Sequence, residues 1–152
     1  MSLVIQFFVI QIATVVMFSS GNILVARLFG ASEVTPYNIS FRLFSTTMVV
    51  FTILIAPLWS AYTEAWSVRD LEWIKRSIKG SMKIWAAFTL MTIGLYVISP
   101  FVYGLWIGNV VTIPRAMSFA FMAYCILLSW NAIFAQFLNG IGEVKVQMYV
   151  AV

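Results

Sequence analysis

The chain has 152 residues, of which 62% are hydrophobic and 9% charged, and its net charge is +4. Soluble domains carry about 25% charged residues, so a soluble fold of this composition would leave large apolar patches facing water. With no histidine and one cysteine, Cys125, the sequence excludes an internal disulfide, a cysteine-rich metal site and imidazole acid–base chemistry.

The first apolar run, Leu3–Ala26, carries no charge. It exceeds the about 20 residues that a helix rising 1.5 Å per residue needs to cross about 30 Å of hydrocarbon. Ser19, Ser20, Gly21 and Asn22 lie near its end, where small and polar residues admit a neighbouring helix closely. Gly30 and Pro36 punctuate the turn that follows. A second span is expected over 39–61, with Pro57 kinking or fraying its end. Residues 62–83 alternate aromatic and aliphatic positions (Trp66, Trp73, Ile74, Ile78, Met82) with cations (Arg69, Lys75, Arg76, Lys79, Lys83). That pattern predicts an amphipathic helix lying along the membrane surface, and Ser67 with Asp70 resembles a capping box. Further spans are expected over 84–106 and 116–138. Residues 146–152 read as the start of a fifth, because so short a run cannot cross alone. The fold class is therefore all-α: a polytopic transmembrane bundle of about four spans plus the start of a fifth, in one domain.

Basic residues set the orientation. Arg69, Lys75, Arg76, Lys79, Lys83 and Lys145 fall on one side, and only Arg27, Arg42 and Arg115 on the other. Positive charge stays in the cytoplasm, so 62–83 and the amino terminus are expected there, with 27–38 and 107–115 outside. The cations cluster beside spans, which makes anionic lipid headgroups a better partner than nucleic acid. The tryptophans mostly sit near span ends and read as an interfacial belt, while Trp130, Asn131 and Gln136 form a mildly polar patch in the last span.

Enzymatic chemistry is not expected. The acids Glu33, Glu64, Asp70, Glu72 and Glu143 all lie in loops or the surface segment, and no phosphate loop, metal motif or nucleophile elbow occurs. No cofactor or metal is expected. The residue of interest is Arg42, on a helix face shared with Asn38 and Ser45. A charge within a span faces a cavity or a partner, or, near a helix end, snorkels to headgroups; both readings stand. Arg27, at a span end, poses the same choice.

The segment Asn22-Ile23-Leu24-Val25-Ala26-Arg27-Leu28-Phe29-Gly30-Ala31-Ser32-Glu33-Val34, followed by Tyr37-Asn38-Ile39-Ser40-Phe41-Arg42-Leu43-Phe44, resembles bacterial flippases that export lipid-linked polysaccharide repeat units. These belong to the multidrug/oligosaccharidyl-lipid/polysaccharide exporter superfamily. The turn Leu138–Gln147 and the charged segment between the second and third spans add to the likeness. The resemblance implies the opening part of the second of two helical bundles, joined to the remaining helices of a larger transporter in the bacterial inner membrane. It implies a substrate of undecaprenyl-diphosphate-linked oligosaccharide moved by alternating access, with cationic cavity residues meeting the diphosphate. Arg42, Arg27, Asn38 and Ser45 are then the candidate substrate-binding residues. Rival readings are a drug/cation antiporter of the same superfamily, which would use acids inside spans, and a truncated, non-transporting membrane protein.

Overall fold

A computed structural model of the chain describes residues 3–108 and 110–142. The described residues are helical, with no strand: α1 (Leu3–Phe29), a 3₁₀ turn (Ala31–Glu33), α2 (Val34–Ile55), α3 (Leu58–Ser67), α4 (Leu71–Ile107) and α5 (Arg115–Gly140). Three helical stretches among them are long and apolar enough to cross a bilayer: Ala31–Ser67, Leu71–Ile107 and Arg115–Gly140. The protein is thus a membrane-embedded helical protein. The residues of the expected first span form the helix α1, while the expected start of a fifth at 146–152, and with it Lys145, lies outside the described residues.

Prolines and glycines place the helix ends. Gly30 adopts φ 101°, a conformation open to glycine, and separates α1 from the 3₁₀ turn. The second helix starts at Val34, earlier than the expected Ile39, because Pro36 falls in its first turn, where a missing N–H costs nothing. At Pro57 the helix breaks as expected: α2 stops at Ile55 and Pro57 caps α3. Pro100, by contrast, lies inside α4 without ending it. Its ring removes the donor that the Tyr96 carbonyl would accept from, and the Ser99 hydroxyl donates to that carbonyl instead, at 2.8 Å.

The expected surface helix over 62–83 is not a separate element. Its first part ends α3, and its second part opens α4, which runs on unbroken to Ile107. The corner between them is tight. Arg69 takes a left-handed φ of 56°, and the Asp70 carboxylate caps α4 by accepting from the Trp73 N–H at 2.9 Å. Ser67 plays no part in that cap; its hydroxyl donates to the Glu64 carbonyl.

Helices α2, α4 and α5 form the core. Buried positions recur at helical spacing: Ser40, Phe44, Thr47, Phe51 and Ile55 on α2, Phe88, Thr92, Ser99 and Tyr103 on α4, and Ser118, Met122, Cys125, Ser129 and Ile133 on α5. Many are small, and their hydroxyls turn back onto their own helices, as Thr92 does to Phe88 and Ser129 to Ile126. Small residues let apolar helices approach closely where the solvent supplies no hydrophobic drive. Gly140 is the tightest point. A Cβ there would lie 2.6 Å from the Tyr62 Cβ and 2.9 Å from the Trp59 carbonyl oxygen. The Thr63 hydroxyl donates to the Gly140 carbonyl at 2.8 Å, tying α3 to α5.

Candidate functional site

A groove of about 1060 Å³ lies between the end of α1, the start of α2 and the start of α5. Val25 and Phe29 of α1, Phe41 of α2 and Met117, Ala120 and Phe121 of α5 supply its apolar wall. Asn22, Glu33, Asn38, Tyr37 and Tyr124 add polar groups. The aromatic rings brace one another: Tyr37 meets Phe121 edge-on at 5.1 Å between centroids, and Phe41 lies 5.7 Å from Phe121. A second hollow of about 390 Å³ continues along α2 and α5, with Phe41 and Tyr124 shared between the two and Ser45, Met48 and Thr52 on the α2 side. A mostly apolar cleft with a few polar groups is the usual form of a small-molecule or lipid site.

The four candidate residues divide. Asn38 lines the groove, and its amide donates to the Val34 carbonyl at 2.9 Å. Ser45 lines the second hollow, and its hydroxyl donates to the Arg42 carbonyl at 3.2 Å. Arg42 is exposed on α2 and is not part of either lining. At about 100° per residue it stands about 40° beyond Asn38, on the side away from Tyr37 and Phe41. Arg27 is exposed in the last turn of α1. The structure therefore brings Asn38 and Ser45 to one continuous cleft and leaves both arginines outside its walls. Arg115, at the start of α5, places its guanidinium 5.3 Å from the Tyr96 ring centre.

A polar junction in the core went unseen in the sequence. The Tyr103 hydroxyl is hydrogen-bonded to Ser40 at 3.1 Å and to Ser118 at 3.0 Å. It joins α4, α2 and α5 at a point where both serines are fully enclosed. The signal was present only as a tyrosine near a helix end, which reads as interfacial. The tryptophans divide as well. Trp59, Trp66 and Trp106 are exposed, while Trp85 and Trp130 pack edge-on at 4.8 Å and the Trp85 indole donates to the Ile126 carbonyl at 3.2 Å. Trp85 thus serves helix packing, not a belt, and Trp130, set apart from the belt in the sequence, packs with it. In the polar patch beside Trp130, Asn131 is exposed and the Gln136 side-chain oxygen is buried without a hydrogen-bond partner among the described residues.

Among the described residues no group of three or more acidic or cysteine side chains is placed to hold a metal ion, and Cys125 is a buried thiol in the α2–α5 contact. Comparison with family models, with curated proteins and with solved structures finds no match to the chain.

Proposed function

We propose that the chain is part of a transporter that flips lipid-linked oligosaccharide or polysaccharide repeat units across the bacterial inner membrane, and that it acts without enzymatic chemistry. One observation carries the reading. The groove is lined by Asn22, Val25, Phe29, Glu33, Tyr37, Asn38 and Phe41, residues of the two segments whose sequence resembles the polysaccharide flippases. The likeness and the α1–α2 wall of the cleft therefore fall on the same residues. An amphipathic substrate suits such a cleft: isoprenoid or acyl carbons lie against Phe29, Phe41 and Phe121, and hydroxyl-bearing groups meet Asn22, Asn38 and the Tyr124 phenol. Arg42, about 40° around α2 from Asn38, is the diphosphate partner in this reading, since guanidinium offers forked donors to phosphate oxygens, whereas Arg27 lies on the face of α1 opposite Asn22, Val25 and Phe29. The antiporter alternative would place an acid well inside a span, whereas the acid on this groove, Glu33, sits in the 3₁₀ turn at the very start of the Ala31–Ser67 stretch.

The test is genetic. Joined to the remaining helices of the transporter and expressed in a bacterium whose repeat-unit flippase is deleted, the protein is expected to restore surface polysaccharide. Ala120→Trp, which fills the groove from α5, is expected to insert at normal levels and to abolish restoration. Normal insertion of the unaltered protein with no polysaccharide at the surface, across several repeat-unit chemistries, would refute the assignment.

A further inference from the structure

We infer that the amino-terminal part of α4 is a binding site for anionic phospholipid headgroups, built as an upright cationic stripe. Lys75, Arg76, Lys79 and Lys83 are all exposed. At about 100° per residue they occupy a sector of about 100° on α4. The opposite side of the same turns is engaged: Ile74 and Trp73 pack with Tyr62 and Ala65 of α3, and Ser81 is buried. Lys75 is partly neutralised by Glu72, whose carboxylate lies 3.0 Å from its ammonium. Arg76, Lys79 and Lys83 have no ion-pair partner among the described residues.

The height of the stripe selects the ligand. Lys83 is followed by a run without charge from Ile84 to Ile107, long enough to cross the hydrocarbon. Because α4 is one helix from Leu71 to Ile107, its cationic turns continue the axis of that span outward instead of bending flat along the surface. Lys79 then stands about 6 Å, and Arg76 about 10 Å, beyond Lys83. The headgroup layer on each side of a bilayer is about 5–8 Å deep, and lysine and arginine stems extend their charges further along it. The polyanion found at this height is the phosphate layer itself. A lipid such as phosphatidylglycerol can place its phosphate between Lys79 and Lys83, one turn apart, while its acyl chains run down the exposed Leu90, Val97 and Phe101, which lie on the same side of the helix. This inference does not depend on what the protein transports.

Native mass spectrometry of the purified protein tests it, using mixed micelles with equal phosphatidylglycerol and phosphatidylcholine. The unaltered protein is expected to retain phosphatidylglycerol preferentially. Each cation near a membrane surface is worth about fivefold in local attraction, so the three together amount to on the order of a hundredfold before screening by salt. The variant Arg76→Gln/Lys79→Gln/Lys83→Gln is expected to lose at least tenfold of that preference, and about 1 M salt should suppress it in the unaltered protein. Arg115→Gln, which removes a cation elsewhere, is expected to keep it. Equal retention of the two lipids by the unaltered protein would overturn the inference and leave the stripe to a soluble polyanion. A loss in the Arg115 control equal to that of the triple variant would overturn it in favour of net charge. The salt arm reads the unaltered protein alone, so it holds even if the triple variant folds poorly.

Discussion

Replacing Tyr103 by phenylalanine tests whether the Ser40–Tyr103–Ser118 junction holds the three core helices together. The ring stays and only the hydroxyl goes, so packing of the aromatic group is kept. Two hydrogen bonds are lost, at 3.1 and 3.0 Å, and Ser40 and Ser118 are left enclosed with 0% and 2% of their surface exposed. Interhelical hydrogen bonds in membrane proteins average about 0.6 kcal/mol each and reach about 1.7 kcal/mol. The loss is therefore about 1–3 kcal/mol. It falls at the low end if each serine turns its hydroxyl back to a carbonyl of its own helix, as Thr92 and Ser129 already do. Reversible unfolding in mixed micelles, followed by helical circular dichroism, gives the measurement. A double-mutant cycle with Ser40→Ala and with Ser118→Ala separates the two contacts. A Tyr103→Phe protein as stable as the original, with coupling energies indistinguishable from zero, would show that the junction contributes nothing and that packing alone sets the core.

Three other outcomes follow from the structure. Gly140→Ala should cost about 1–3 kcal/mol by overpacking, because the added methyl meets the Tyr62 Cβ and the Trp59 carbonyl oxygen, neither the far end of a flexible side chain; the same unfolding assay reads it, and a neutral result would mean that α3 and α5 separate freely. Arg42→Ala should lower polysaccharide export by roughly tenfold to a hundredfold, the equivalent of a charge-assisted contact of about 1.5–3 kcal/mol, with Arg42→Lys intermediate and Arg115→Ala near normal; full export by an Arg42→Ala protein present at normal membrane levels would make Arg42 an interfacial anchor only. Cysteines introduced at Ser67 and Ser32, both exposed, in a Cys125→Ser background should label differently with a membrane-impermeant thiol reagent in intact cells, Ser67 protected and Ser32 modified; the reverse pattern would invert the proposed topology.

The long apolar runs were legible in the sequence because a bilayer imposes one length on every span: those at 3–26, 84–106 and 116–138 each lie within one helix, while that at 39–61 is interrupted between Ile55 and Leu58. Pro57 was legible for a similar reason: its ring removes the backbone donor that the Ile53 carbonyl would accept from in a continuous helix. The fate of residues 62–83 was not. A heptad-like alternation of Trp66, Trp73, Ile74 and Ile78 with cations looks the same whether the apolar side faces lipid or another helix. Here Trp73, Ile74 and Ile78 pack on α3 and Phe137. The corner is set by Arg69 and the Asp70 cap, which local pattern does not weigh against a continuous helix. The candidate site was half legible. Asn38 and Ser45 share a face by simple helical arithmetic and do reach the cleft. Phe121 and Tyr124, which complete it from α5, are far away in sequence and otherwise ordinary aromatic residues. The Tyr103 junction has the same character: its partners lie 63 and 15 residues away, and no periodicity connects them.

The Ser99–Pro100 pair bears on how this sequence can drift. Pro100 is tolerated in the middle of an apolar helix because its neighbour's hydroxyl occupies the carbonyl of Tyr96, so the two positions are not independent. Losing the serine first would strand a backbone acceptor in a low-dielectric setting. Losing the proline first would restore the backbone donor and make the serine dispensable. Mutational histories through this segment are therefore directional, with the route that replaces Pro100 before Ser99 the one open to neutral change.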